Sequence, residues 1–218
     1  MTALDLKSRP ANLAAAIVYR QGDTTDEAFV TAAAQEAAVG GALYALVNAA
    51  GVALHDGDGA FETMDLAVWR RTLDINLTGA ALVSRAAVPY LKAGRGSMVH
   101  IASVVGLRNM ENIMEGGPLD AYQASKHALV GLSRSFAMQY AAVGVRSNTI
   151  CPGAVRTPMT EAIYRDPARV AAMAARTPLG RVGTPDDIAA AALFLLSESA
   201  AFITAIDLVV DGGIMAKL

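Results

Sequence analysis

Short apolar runs alternate along this chain with longer segments in which apolar residues recur at helical spacing. The short runs read as β-strands at Met1–Leu6, Ala16–Arg20, Ala42–Asn48, Ser97–Ala102, Arg146–Cys151 and Ile206–Val210. Several are apolar almost throughout, which is the pattern of parallel strands covered on both faces. Between them the spacing predicts helices near Thr24–Val39, Leu66–Leu91 with a break, Ala121–Ala142, a short pair within Thr157–Arg176, and Pro185–Leu196. The last has the clearest start. Thr184 can cap it, Pro185 sits where a missing N–H costs nothing, and Asp186 and Asp187 favour the positive end of the helix. Strands alternating with helices predict an α/β fold with a parallel sheet. No Pro/Ser/Gly-rich linker, charge run or repeat divides the chain, so residues 1–218 are expected to form one domain.

Composition narrows the partners. Lys and Arg number 18 against 20 Asp and Glu, a net charge of −2, which supports neither a phosphate-neutralising nucleic-acid surface nor a solvated, disordered chain. The hydrophobic fraction is 54% with 6% aromatic, so the core is built mainly from Ala, Val, Leu and Ile. Cys151 is the only cysteine, which excludes an intrachain disulfide framework and makes a reducing, cytoplasmic setting the expectation. Residues 1–10 lack the basic start, apolar centre and small-residue cleavage site of a secretory leader. The longest apolar stretches, such as Ile188–Leu196, fall short of the ~18 residues needed to cross a bilayer, so no membrane partner is expected.

The residues that carry chemistry begin with Tyr122 and Lys126, four apart at the start of a helical run, which places both on one helix face. A phenol has a pKa of about 10 and is a poor acid–base catalyst near neutrality unless a nearby cation stabilises its phenolate. Lys126 can be that cation, although a lone Tyr-x-x-x-Lys is more often a solvent-facing pair. Position supplies the corroboration. Ser103 ends the strand SMVHIAS and Asn48 ends the strand before AAG, and the carboxyl ends of parallel strands are where such sheets bind ligands. Asn76 lies in the helical segment DINLTG, and Pro152-Gly153 follows the strand RSNTIC with a turn that leaves room for a flat ligand.

In this order these residues resemble the short-chain dehydrogenase/reductase family, classical type, over nearly the whole chain. Asn48-Ala49-Ala50-Gly51 is similar to its N-A-G motif, Asn76 to its catalytic asparagine, Ser103 to its catalytic serine, and Tyr122-x-x-x-Lys126 to its acid–base pair. Pro152-Gly153-Ala154-Val155-Arg156-Thr157-Pro158 resembles the segment beside the nicotinamide, and Asp211-Gly212-Gly213 the C-terminal signature. The resemblance implies a Rossmann-like doubly wound parallel sheet and reversible hydride transfer between NAD(H) and an alcohol or carbonyl, on a small or medium, largely apolar substrate. It assigns Tyr122 as general acid/base and Ser103 as hydrogen-bond donor to the same oxygen. Lys126 would lower the phenol's pKa and bind the nicotinamide ribose, and Asn76 would hold a water in the proton relay. Cofactor-binding positions would be Asp5, Asp23, Thr24, Asn48, Ala49, Ala50, Gly51, Tyr122, Lys126, Pro152, Gly153, Val155 and Thr157. A carboxylate at Asp5 accepts from a ribose 2′-hydroxyl and repels a 2′-phosphate, so NAD is expected over NADP. The resemblance further implies a homodimer or homotetramer, built partly on the helices of the Asn76 and Tyr122 segments and the C-terminal strand.

Two features depart from the family pattern. Its first strand, glycine-rich turn and first helix are missing, since Asp5 already matches the end of the second strand and no T-G-x-x-x-G-x-G occurs. That turn places a helix N-terminus on the cofactor diphosphate. The family's strand order of 3-2-1-4-5-6-7 also puts the absent strand in the middle of the sheet, leaving unpaired edges. A natural chain with a longer N-terminus, a truncated non-catalytic relative acting as a subunit or interaction protein, and a Met1–Leu6 strand slid into the central slot are the competing explanations. Second, Ser103 and Tyr122 stand 19 residues apart, longer than usual, with the insertion in Arg108–Leu119. There Met110, Ile113 and Met114 either line an adaptable apolar wall of the pocket or pack a longer surface loop.

The remaining candidates are weaker. His55, His100 and His127 show no ligand spacing, so no metal site is expected. Cys151, before Pro152, reads as a buried thiol because no base is suggested nearby. Ser103 lacks the glycine-flanked elbow of a hydrolase.

Overall fold

The computed structural model describes residues 1–108 and 119–217. Met110, Ile113 and Met114 lie outside the described residues. Among the described residues six parallel strands lie where the short runs predict them: β1 Thr2–Asp5, β2 Val18–Gln21, β3 Ala45–Asn48, β4 Ser97–Ile101, β5 Arg146–Pro152 and β6 Asp207–Val210. The helices are α1 Glu27–Ala37, α2 Leu66–Leu73, α3 Ala80–Gly94, α4 Asp120–Tyr140, α5 Glu161–Tyr164, α6 Pro167–Arg176, α7 Pro185–Leu196 and α8 Ile214–Lys217.

The core is a four-stranded sheet of order β3-β4-β5-β6. β4 and β5 are buried because each face has its own helical cover. Met98 packs with Ala87, Leu91 and Val145 on the α3–α4 side, while Val99 and Ile150 pack with Ala192 and Leu195 of α7 on the other. With both faces covered, the neighbouring Met98 and Val99 are both fully buried although they face opposite sides of the sheet. Leu195 also places its carbonyl over the sheet, where Ser97 Oγ (3.2 Å) and Arg146 Nη1 (2.7 Å) donate to it. The start of α7 is as the sequence predicts: the Asp187 carboxylate accepts from the Thr184 N–H at 2.8 Å and from both Arg181 terminal nitrogens at 2.7 Å, and these bonds hold its carboxyl far below the usual range.

The break expected within Leu66–Leu91 is not an interruption. A turn of π-helix at Asp74–Gly79 joins α2 to α3 through residues of right-handed helical backbone. Gly79 is required there, since a Cβ would stand 2.9 Å from Thr24 Oγ1. The helix expected from Thr24 begins only at Glu27, because the Asp26 carboxylate caps it by accepting from the Ala28 and Phe29 N–H groups.

β1 and β2 pair with each other in a separate two-stranded sheet. Met1–Leu6 therefore does not enter the four-stranded sheet, and that explanation for the missing strand is excluded. Among the described residues, β1 and β3 each pair on one side only, so the unpaired edges that the sequence predicts are present. Val47 on β3 and Val18 on β2 are 43% and 42% exposed, unlike the buried Val99 of β4. The two sheets are tied by packing of α1 on α3, by the Arg71–Asp23 ion pair at 3.2 Å and by an Arg85–Glu27 ion pair.

Leu195→Ala is expected to destabilise the fold by about 2–5 kcal/mol. A chain of this size loses about 2–4 °C of melting temperature per kcal/mol, and thermal unfolding followed by circular dichroism checks it.

Candidate active site

The register aligns the carboxyl ends of β3, β4, β5 and β6, because Asn48 lies opposite His100, Ile101 opposite Ile150, and Pro152 opposite Val210. The segments leaving those strands therefore emerge side by side. Ser103 follows β4 in extended backbone and its Oγ accepts from the Val105 N–H at 3.3 Å. Tyr122 lies in the first turn of α4, with its phenol near enough to the Ser103 hydroxyl for the serine to lower the phenol's pKa. One turn on, Lys126 Nζ sits 5.5 Å from the centre of the Tyr122 ring and donates to the Ile101 carbonyl at 2.9 Å. Ser103, Tyr122 and Lys126, far apart in sequence, thus form one cluster.

Asn76 completes it from the π-helical turn, fully buried. Its amide nitrogen donates to the Val52 carbonyl and to Ser125 Oγ, both at 2.9 Å, and its Oδ1 accepts from the Val52 N–H at 2.7 Å. Both N–H groups are engaged, so the side chain pins the loop after β3 and keeps only a lone pair of Oδ1 for any water. Gly51 fits between the parts of the cluster. A Cβ there would stand 3.4 Å from both Asn76 Oδ1 and Lys126 Nζ, closing the space above the lysine.

Burial sets the electrostatics. Lys126 is 4% exposed, and loss of hydration, partly countered by Cys151, brings its pKa down to about 8. Burial likewise raises the pKa of the Tyr122 phenol, against which the neighbouring Ser103 hydroxyl acts. Burial pushes Cys151 up to about 11, consistent with an unreactive thiol. Among the described residues no group of three or more His, Cys, Asp or Glu is placed to hold a metal ion, and no helix is long and apolar enough to cross a membrane.

Other sequence-predicted residues are placed differently. Asn48 is turned into the core, where its amide donates to Ser84 Oγ (2.9 Å) and to His100 Nδ1 (3.2 Å). That leaves the His100 proton on Nε2, which has no partner among the described residues, and burial holds this ring neutral with a pKa of about 4. Ala49 and Ala50 are exposed. Gly153 lets the turn after β5 approach Asp211, since a Cβ would meet the Asp211 Cβ at 2.7 Å. The Asp211 carboxylate accepts from the Gly213 and Met215 N–H groups at 2.7 Å, and α8 packs Ile214 and Met215 near Val104, Val105 and Tyr122. Val155 is buried and bridges to Gly183, and the Thr157 N–H donates to Thr160 Oγ1 at 2.9 Å. Away from the cluster, Asp5 is exposed and accepts from the Lys7 N–H at 2.9 Å. Asp23 accepts from Thr25 and Arg71, which lower its pKa. Thr24 packs against Gly79.

Three participants escaped the sequence reading. Val52 and Ser125 are the partners of Asn76. Asp58, buried, accepts from the N–H groups of Ala121 and Tyr122 at 2.9 and 3.0 Å. Its distance in sequence from Tyr122 left no local signal.

Residues 4–215 match the family profile described as enoyl-(acyl carrier protein) reductase. The inactive 2-(S)-hydroxypropyl-CoM dehydrogenase 2 of Xanthobacter autotrophicus is 42% identical over 201 residues, covering 89% of this chain and 83% of that protein. The cis-4-hydroxycyclohexanecarboxylate dehydrogenase of Sinomonas cyclohexanicum is 39% identical over 196 residues, covering 89% and 75%. The ligand-free aldohexose dehydrogenase of Thermoplasma acidophilum superposes with a TM-score of 0.86 at 32% identity, covering 100% of this chain and 84% of that one. The chain belongs to the short-chain dehydrogenase/reductase family. As a member it is an oxidoreductase acting on alcohol or carbonyl groups, with a Rossmann-like parallel sheet and a nicotinamide dinucleotide as cofactor.

The donor set at this short-chain dehydrogenase/reductase site fits the nicotinamide ribose. Lys126 has three N–H bonds, and one protein acceptor, the Ile101 carbonyl, among the described residues. The bare Gly51 leaves space beside the others.

The burial of Lys126 has a pH signature. Its folded pKa of about 8 lies below the reference value of 10.5, so between these pH values the unfolded chain holds a proton that the folded chain has released, and stability rises with pH. Methionine carries no proton. The melting temperature of Lys126→Met minus that of the wild type is therefore expected to fall as pH rises from about 7 to about 10, as read by thermal melts; a constant difference contradicts the buried-ammonium account.

Proposed function

We propose that this protein is an NAD(H)-dependent dehydrogenase/reductase that interconverts a secondary alcohol and its carbonyl compound on a small or medium, largely apolar substrate. The observation that carries the reading is the Ser103–Tyr122–Lys126 cluster at the carboxyl ends of the strands. A nicotinamide, when bound, supplies or accepts the hydride. Tyr122 Oη gives its proton to the carbonyl oxygen in reduction and takes it back in oxidation. The Ser103 hydroxyl donates to the same oxygen and opposes the rise in the phenol's pKa that burial causes. Lys126 presents its positive charge beside the phenol ring and its unengaged N–H bonds to the ribose hydroxyls. Asn76 holds the Val52 loop against Ser125, one residue from Lys126, and so fixes the floor on which these groups sit.

Asn48, Ala49, Ala50, Gly51, Pro152, Gly153, Val155 and Thr157 would border the nicotinamide half of the cofactor, Asn48 by supporting the end of β3 from within the core. Asp23, Thr24 and Asp5 would meet the adenosine half. The exposed Asp5 carboxylate at the end of β1 favours NAD over NADP, because it repels a 2′-phosphate. The exposed apolar residues Leu193, Phe194, Phe202 and Met138 support assembly into a homodimer or homotetramer. One domain over residues 1–218 and a cytoplasmic location complete the reading; the single, buried, free cysteine suits a reducing compartment.

Tyr122→Phe removes the transferable proton and little volume. It is expected to lower the rate of NADH-dependent ketone reduction by about 100- to 10,000-fold while leaving NADH affinity nearly unchanged, as measured by steady-state kinetics and equilibrium titration. Activity equal to that of the wild type rejects Tyr122 as the acid/base.

A further inference from the structure

Helix α4, which carries Tyr122 and Lys126, has no side-chain cap from the residue that precedes it. The residue before it, Leu119, offers no side-chain hydrogen bond to the first-turn N–H groups. Such groups need an acceptor when they are buried, and Ala121 is fully buried. The acceptor comes from 63 residues upstream. Asp58, itself 5% exposed, receives the Ala121 N–H on Oδ1 at 2.9 Å and the Tyr122 N–H on Oδ2 at 3.0 Å. A carboxylate in this place also meets the positive end of the helix.

The loop that carries Asp58 is anchored at its other end to the same cluster, through the paired Val52–Asn76 hydrogen bonds. Gly57, at φ +93°, makes the turn that presents Asp58, and a Cβ there would strike Val68 Cγ2 at 2.9 Å. The Gly57 carbonyl accepts from Asp65 N at 3.0 Å and Asp58 N donates to Leu54 at 3.3 Å, so the turn is held from both sides.

We propose that Asp58 is a positioning residue: it clamps the backbone of Tyr122 from the loop after β3 and thereby sets the phenol against Ser103. The inference deepens the acid/base reading of Tyr122 and uses no property of the cofactor. It makes the loop at residues 52–58 a brace between the π-helical turn and the first turn of α4. Displacement of the brace is read out at the phenol.

The test is NMR of the full chain labelled with 13Cζ-tyrosine, without cofactor or substrate, so it is decided independently of whether the protein turns over a ketone. Tyr122→Phe identifies the Tyr122 resonance among the six tyrosines, and Ser103→Ala defines the shift caused by loss of the serine hydroxyl beside the phenol. Asp58→Ala is expected to move the Tyr122 resonance in the same direction by a comparable amount, and to speed amide exchange at Ala121 and Tyr122 by about tenfold or more. The control is Asp65→Ala, which removes a carboxylate that accepts from Ala67 N at 2.7 Å at the start of α2. It should cost stability and leave the Tyr122 resonance in place. If Asp58→Ala does not fold, Asp58→Asn, which keeps one acceptor, is expected to give a smaller shift of the same sign. A folded Asp58 variant whose Tyr122 resonance coincides with that of the wild type overturns the proposal, as does an equal shift in Asp65→Ala.

Discussion

An ammonium group held almost out of water is the constraint around which the site of this short-chain dehydrogenase/reductase is arranged. Among the described residues Lys126 retains one carbonyl partner, from Ile101 at the end of β4, and the face of the Tyr122 ring. Removing a charge from water is costly unless polar partners replace the lost hydration, and here they do so only in part, which is why the pKa falls to about 8. In the proposed function the deficit has a use: among the described residues the ammonium has one protein acceptor, and it stands beside the Tyr122 ring and a bare glycine, where ribose hydroxyl oxygens would be received.

The parallel sheet makes this arrangement possible. Its register brings the ends of β3, β4 and β5 level, so Gly51, Ser103 and the Pro152-Gly153 turn reach one region from distant parts of the chain. Helix α4 then returns across them with Tyr122 and Lys126 one turn apart. The burial of β4 and β5 under helices on both faces gives these groups a rigid base. β1 and β2 stand apart as a two-stranded unit, with edges at β1 and β3 that pair on one side only among the described residues. The Ser103–Tyr122–Lys126 cluster therefore rests on the well-covered part of the molecule, and Asp5 and Asp23 on the less-covered part.

Much of this was legible in the sequence because it is local. The short segments SMVHIA and RSNTIC marked β4 and β5, and Thr184-Pro185-Asp186-Asp187 marked the start of α7 to the residue. Tyr122 and Lys126 share a helix face, so their spacing alone placed them together. The break predicted between Leu66 and Leu91 became a π-helical turn because DINLTG keeps helical backbone and gains an extra residue per turn, a change that apolar periodicity registers only as lost phase. The inward turn of Asn48 was hidden, since the choice between facing a ligand and facing His100 depends on tertiary packing. Asp58 was hidden more completely, because its partners are two backbone N–H groups over 60 residues away and no side-chain pattern marks them.

Equilibrium titration with NADH, followed by quenching of the single tryptophan, Trp69, tests the central claim that the buried Lys126 ammonium is a ribose-binding cation. Saturable binding by the wild-type chain that weakens by about tenfold or more in Lys126→Ala, as expected when a charged hydrogen-bond partner is lost, supports the account. Absence of binding by the folded wild type, or equal affinity in the two proteins, contradicts it.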